Sequence, residues 1–288
     1  MVELDQYDLI ASIEADHWWY RRIRWTVVSL VGRRRRNDGR PLRILELGAG
    51  TGAASSDLEG VVAVDRTERS MVFLRDRPVT AIRADATALP IPGGTFDVVV
   101  AVNLLHSVAD PSSVLAEAAR VLVPGGCLVL IEPAFSFLQR AHDERVDGLR
   151  RFRRPELRHL VEAVGLEVRR STYAFSFLVP PAAAQGLAYR LRRSVEEVPT
   201  SIKRRRLDGV LGMLSAAERA LLGERNVPFG TSVALLAERG RDAGQRGRTP
   251  RVTATGAPAS STASSTSSPG VDVGAGTGSR ALARPTAT

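Results

Sequence analysis

The chain has a single cysteine, Cys127. One thiol can neither close an internal disulfide nor build a multi-cysteine metal site, so no metal is expected. Lysine is as scarce: Lys203 stands alone among 40 basic residues, and the rest are arginine. The net charge of +9 therefore reads as coding preference as much as selection for a polyanion. Basic runs at 33–36, 150–154 and 203–206 are suited to phosphate. No aromatic residues alternate with them, however, as a stacking platform for nucleic acid requires. Solvated surface is the favoured reading, and no nucleic-acid partner is expected. Long apolar runs are also missing. The longest stretch, Ala174 to Tyr189, is broken by Pro180-Pro181 and falls short of the ~20 residues of a membrane span. The opening "MVELDQYDLI" is acidic and lacks the basic-then-apolar order of a signal segment, which points to the cytoplasm.

At 288 residues the chain can bury one full core. From Leu42 to Glu132 apolar runs alternate with helical patterns, the order that builds a parallel sheet covered by helices. Strands are expected at Arg43–Leu47, Val61–Val64, Val79–Arg83, Phe96–Val102 and Cys127–Ile131, then at Leu166–Tyr173 and Thr231–Ala237. Their continuous hydrophobicity means burial on both faces. Thr67 and Asp110-Pro111 read as helix starts, "VPGG" as a helix end, and Pro155 and Gly165 as the bounds of another helix. One or two helices are expected over Val2–Val31, and helical pattern fills Leu178 to Gly223. Residues 1–40 are thus a helical cap, 41–239 the main domain with a helical insertion at about 178–226, and 240–288 a disordered tail of Ser, Thr, Gly, Ala and Pro.

The densest signal is "RILELGAGTGAASS", Arg43 to Ser56. A strand, then Gly48, Gly50 and Gly52, then an expected helix lets backbone approach a ligand closely and aims unpaired N–H groups at it. Gly48, Gly50 and Ala53 also satisfy G-x-G-x-x-G/A, with Asp65 near the distance of a ribose-binding acid, so a nicotinamide oxidoreductase stays open on the loop alone. Glu46 weighs against it, because a carboxylate just before the glycines opposes pyrophosphate and suits a cationic amino group. Asp85 after the third strand and Asn103 to His106 after the fourth lie at carboxyl ends of strands, where open α/β sheets bind ligands.

These residues resemble the class I S-adenosylmethionine-dependent methyltransferases, in particular the group similar to quinone-biosynthesis methyltransferases. "ILELGAGTG", "VVAVD", "RADATALPIPGGTFDVVV" and "EAARVLVPGGCLVLIEP" match four motifs in order, and the likeness covers about Arg43 to Ala237. "HWWYRRIRW" and "RRFRRPELRHLVEAVGLEV" also resemble a subgroup beginning His-Trp-Trp-Phe, from which Tyr20, Phe152 and Arg153 depart. The resemblance implies a three-layer, Rossmann-like α/β fold with a seven-stranded sheet, mostly parallel with an antiparallel last strand, under an N-terminal helical cap. It implies S-adenosylmethionine as cofactor. Glu46 and the backbone of Gly48, Ala49, Gly50 and Gly52 would hold its methionine part, and Asp65 its ribose. Arg66 would flank the adenine, Asp85 and Ala86 would meet the adenine amino group and ring, and Asn103 would offer backbone near the amino-acid end.

The expected activity is methyl transfer to a small or lipid-like acceptor. Alternatives are an NAD(P)-dependent oxidoreductase and a non-catalytic module that binds the cofactor or nucleic acid. His106 is the candidate base, for an acceptor that must lose a proton. His17, Trp18, Trp19 and Tyr20 form a candidate cover on the acceptor side; core packing is the competing reading for the tryptophans. Phe175, Phe177 and Leu178 are expected to line an apolar acceptor pocket, with Arg190, Arg192 and Arg193 near an anionic group or a membrane surface. The composition of the tail generates a first prediction: truncation at Arg241 leaves the melting temperature and the cofactor affinity unchanged, and a drop in either shows a docked tail.

Overall fold

The computed structural model describes residues 6–32, 39–139, 148–192, 207–222 and 225–241; the tail, the runs at 33–36 and 203–206 and Arg193 lie outside these. The elements are α1 (Gln6–Ile13), α2 (Trp18–Val31), β1 (Ile44–Leu47), β2 (Val61–Asp65), α3 (Glu68–Arg75), β3 (Thr80–Arg83), β4 (Phe96–Val102), α4 (Pro111–Val121), β5 (Leu122–Pro133), α5 (Arg154–Ala163), β6 (Leu166–Ala174), α6 (Val179–Arg192), α7 (Asp208–Leu222) and β7 (Ser232–Arg239). Seven strands form one sheet in the order β3-β2-β1-β4-β5-β7-β6. Strand β7 runs antiparallel to both neighbours and the remaining pairs are parallel, as the resemblance implied.

Period-two alternation sorts the strand residues into two cores. Leu45 and Leu47, Val99 and Ala101, and Leu128 and Leu130 face one side, where α4 and α5 pack through Val114, Leu115, Leu157 and Val161. Ile44, Val98, Val100, Cys127, Val129 and Ile131 face the other, against Trp18, Ile23, Val27 and Val31 of α2. Cys127 is a buried free thiol in that second core.

Two local expectations are revised. No helix follows the glycines: residues 48–60 are turns and bends joining β1 to β2. Parallel strands need a crossover of about a dozen residues, and "AASSDLEG" between Gly52 and Val61 is too short to add a stable helix. Helix α2, from the chain's start, covers that face instead. Helix α4 also stops at Val121, before "VPGG", because β5 begins at once and pairs Leu122 with Phe96. The last carbonyls of α4 are satisfied from outside: Gly94 N donates to Arg120 O (3.0 Å), Thr95 N to Val121 O (2.8 Å), and Arg239 Nη1 to Ala119 O, Arg120 O and Leu122 O. Elsewhere the caps are as read, with Thr67 accepting from Ser70 N and Asp110 from Ser112 N.

The N-terminal segment is stitched onto the glycine loop by Glu14. This buried carboxylate accepts from Thr51 Oγ1 and pairs with Arg77. Arg24 of α2 donates to the carbonyls of Glu14 (2.7 Å) and Ala15 (3.0 Å), fixing the link between α1 and α2. Tyr7 on α1 stacks near Phe73 and meets Thr67 Oγ1 at 3.0 Å. Breaking a buried pair costs several kcal/mol, less where a partner reaches solvent, as Arg77 does. Glu14→Ala should therefore lower unfolding free energy in urea by roughly 3 kcal/mol and raise protease sensitivity ahead of Trp18. A change within experimental error would mean that the cap is held by α2 alone.

Candidate active site

At the carboxyl end of β1, Glu46 is nearly sealed, 2% exposed. Its one hydrogen-bond donor among the described residues is Ser55 Oγ. Burial pushes its carboxyl up to about 7, with the Ser55 hydrogen bond pulling the other way and the Asp65 charge adding to the rise. Each of the other buried carboxylates among the described residues meets at least two donors.

Asp65 closes β2. Its Oδ2 accepts from Gly50 N (2.9 Å) and its Oδ1 from Thr67 N and Oγ1 (both 2.9 Å). A carboxylate offers about four acceptor sites, so one remains for a ligand hydroxyl. The Gly48 and Gly50 backbones are left-handed, at φ +66° and +56°, which β-carbon-bearing residues rarely adopt. A Cβ on Gly48 would lie 2.7 Å from Leu104 Cδ1, whereas one on Gly50 would meet nothing within 4 Å. The loop is thus packed on one side and open on the other.

Neighbouring strand ends complete the rim. Ala84 N donates to Asp65 O (3.1 Å) and Arg83 Nε to Arg66 O (3.2 Å), bringing Arg66, Asp85 and Ala86 beside Asp65. Asp85 accepts from Thr87 N (2.8 Å) and Oγ1 (2.7 Å), and these bonds hold its carboxyl below the usual carboxylate range. Asn103 is left-handed at φ 52° and donates to Ile131 O at 2.8 Å. The next three amides, Leu104, Leu105 and His106, all donate to the carboxylate of Glu132, which is fully buried at the end of β5. His106 Nδ1 lies 3.5 Å from Glu132 Oε2, with the imidazole largely enclosed.

The aromatic cap residues divide. Trp18 is core, 5% exposed, and packs edge-on to Phe175 at 5.7 Å. Phe175 is itself 1% exposed; it is a core side chain and lines no open pocket. Trp19, Tyr20, Phe177 and Leu178 are half-buried around this pair. His17 caps α2, accepting from Trp19 N at 3.3 Å, and its Nε2 lies 3.7 Å from Asp208 Oδ1 on α7. The side chains of Arg190 and Arg192 lie outside the described residues. Glu218 on α7 accepts from Phe175 N, Ser176 N and Ser176 Oγ and so anchors this turn.

Glu14, Ser55, Glu132 and Glu218 were not singled out in the sequence. Glu132 had a signal: an acid closing the apolar run "CLVLI" must be paired or exposed. The others had none, because their partners are 9 to 63 residues away.

A pyrophosphate has no helix N-terminus to meet here, which removes the main support for dinucleotide binding. The donor set fits an aminoacyl-nucleoside instead: an under-satisfied carboxylate for an ammonium, open glycine backbone beside it, and a spare acceptor on Asp65 for a ribose hydroxyl. The fold and these residues define a class I S-adenosylmethionine-dependent methyltransferase, and the chain belongs to that family. Residues 45–130 match the methyltransferase domain family. The chain is 33% identical over 162 residues to a demethylmenaquinone methyltransferase of Thermus thermophilus, covering 49% of this chain and 70% of that one. It is 32% identical over 151 residues to a Clavibacter sepedonicus protein of the same name, of whose length it spans 58%. In fold it is similar to a solved S-adenosylmethionine-dependent methyltransferase from Thermotoga maritima, at TM-score 0.54 and 20% identity over 81% of this chain and 95% of that one.

The state of Glu46 sets a pH dependence. A cationic amino group binds the ionised carboxylate, so protonation of Glu46 below about 7 opposes binding. Affinity for S-adenosylhomocysteine should rise as pH is raised through 7 and then level off, because the ligand's α-amino group is that of a free amino acid and keeps its charge above the peptide N-terminal range of about 7.7–8.0. Calorimetry across pH 5.5–9 checks this on wild type and Glu46→Gln, whose acid limb should be flat. An acid limb that survives the substitution places the titration elsewhere.

Proposed function

We propose that this protein transfers a methyl group from S-adenosylmethionine to a small or lipid-like acceptor. The observation that carries the reading is Glu46, a sealed carboxylate with one donor beside an open glycine backbone. Glu46 would hold the amino group, the Gly48–Gly52 backbone the rest of the methionine part, Asp65 the ribose, and Asp85 and Ala86 the adenine, with Arg66 and Asn103 completing the rim. When bound, the cofactor supplies an electrophilic methyl group. The protein then contributes orientation, exclusion of water and the handling of a proton.

His106 is the proposed proton acceptor, for an acceptor attacked at a hydroxyl or an acidic carbon. Its place follows from Glu132, which pins the 104–106 backbone and presents Oε2 to Nδ1. The curated relatives are named for demethylmenaquinone, which makes that quinone the first acceptor to assay. Half-buried Trp19, Tyr20, Phe177 and Leu178 supply apolar surface for such a molecule. No described helix is long and apolar enough to cross a membrane, so any contact with a bilayer holding the acceptor would be peripheral.

Mass spectrometry of reactions with labelled S-adenosylmethionine and demethylmenaquinone, alongside a panel of hydroxylated and aminated compounds, tests the proposal. Transfer of the label supports it. Tight cofactor binding with no product across the panel favours a non-catalytic module. His106→Ala should reduce turnover by about 10²–10⁴-fold, the usual contribution of a general base, with S-adenosylhomocysteine affinity kept within twofold. Unchanged turnover would leave His106 a structural residue of the loop.

A further inference from the structure

The arginine run at 150–154 is not absorbed by the methyl-transfer site. Its last member, Arg154, opens helix α5 and enters a cavity of about 270 Å³ between α5 and the edge strand β6. Arg154, Arg158, Arg169, Arg170, Ser171 and Asn226 line it. The local structure explains why three of these arginines, Arg154, Arg158 and Arg169, converge. Arg154 and Arg158 are four apart on α5 and so share a face. Neighbouring strand residues ordinarily point to opposite faces, but β6 carries a one-residue bulge between Val168 and Arg170, and a bulge re-aims side chains. Arg169 is the inserted residue and reaches the cavity, whereas Arg170, paired with Leu236, resumes the alternation on the opposite face near Arg22 of α2 and borders the cleft only along the strand.

These three arginines are held rather than splayed. The Arg154 guanidinium sits 5.8 Å above the Tyr173 ring, and its amide donates to Tyr173 Oη at 3.0 Å. Arg158 is oriented by Glu162 (2.8 Å), and Arg169 by Glu238 (2.7 Å) and Glu167. Glu156 is turned to the Arg153 amide, and no acid lines the cavity itself. A second, independent feature points inward. Ser171 is nine-tenths buried, and its hydroxyl has no hydrogen-bond partner among the described residues. Buried hydroxyls are normally paired, so one facing a wall of donors is suited to an oxyanion.

We propose that this cleft is a second ligand site that binds a phosphoryl group, a phosphate or diphosphate. Guanidinium forks match phosphate oxygens bidentately, and the Ser171 hydroxyl and Asn226 amide add neutral donors. The volume is below the ~300–1,000 Å³ of sites that enclose a whole small molecule. The rest of the ligand therefore lies outside, and the phosphoryl group belongs to a soluble phosphate compound or to a phospholipid headgroup.

Calorimetric titration of the full chain with inorganic pyrophosphate at low ionic strength tests the site. Saturable one-to-one binding is expected. It should weaken at least tenfold in Arg154→Gln/Arg169→Gln and less than twofold in Arg21→Gln/Arg75→Gln, which removes equal charge elsewhere. Should the first double variant fold poorly, Ser171→Ala provides an independent reading: binding weakens severalfold, while the melting temperature of the free protein is unchanged or higher because an unpaired hydroxyl has gone. Sedimentation with vesicles containing phosphatidic acid separates the sources. Vesicle binding that needs Arg154 and Arg169 and is displaced by pyrophosphate supports the site with a lipid headgroup as its ligand, and pyrophosphate binding without vesicle binding supports it with a soluble phosphate compound. The proposal is overturned by absence of binding to both probes, by equal loss in the two double variants, or by full affinity in Ser171→Ala.

Discussion

The interaction on which the cofactor side depends is the one that Glu46 lacks within the protein. Burial of a carboxylate is unfavourable unless donors or cations replace its water. Four of the five buried acids among the described residues meet that demand locally: Glu14 with Thr51 and Arg77, Asp65 with Gly50 and Thr67, Glu132 with three successive amides, and Glu218 with two amides and a hydroxyl. Each ties a loop to the scaffold. Glu46 has one serine hydroxyl and resists ionisation. Among these five, Glu46 alone has a single donor and no ion pair.

A short β1–β2 connection determines how the rest is arranged. Without a helix after the glycines, one face of the sheet would be bare over β1 and β4, and α2 fills it with Ile23, Val27 and Val31. The cap is consequently part of the core as well as a cover. Glu14 sits where the two functions meet, one hydrogen bond away from the glycine loop through Thr51. That contact ties the N-terminal segment directly to residues 48–52.

Much of this was legible in the chain. Strand positions follow from apolar runs buried on both faces, and they held to within one or two residues except at the start of β5. Helix starts at Thr67, Asp110 and Pro155 follow from capping chemistry that acts within four residues. The helix after the glycines was misread because the loop motif ordinarily precedes one, while the decisive fact was the short count of residues to β2. The end of α4 was misread because "VPGG" carries a strong local stop, whereas Gly94, Thr95 and Arg239 finish the helix from distant parts of the sequence. Phe175 looked like pocket lining because an apolar residue near a sheet end has no sequence mark distinguishing core from cavity. Glu14 and Glu218 show the same limit for polar groups, since an acid in a helical segment reads as surface until its partners are seen.

The central claim, that Glu46 exchanges a proton for a cationic ligand group, is tested most directly by the protons released on binding. Titrating S-adenosylhomocysteine at pH 6.5 in two buffers of different ionisation enthalpy gives that number. Wild type should release a substantial fraction of one proton per ligand, decreasing toward zero as pH rises past the carboxyl's value near 7, and Glu46→Gln should release none. Equal proton release from wild type and Glu46→Gln, or none from either, would contradict the role assigned to this carboxylate.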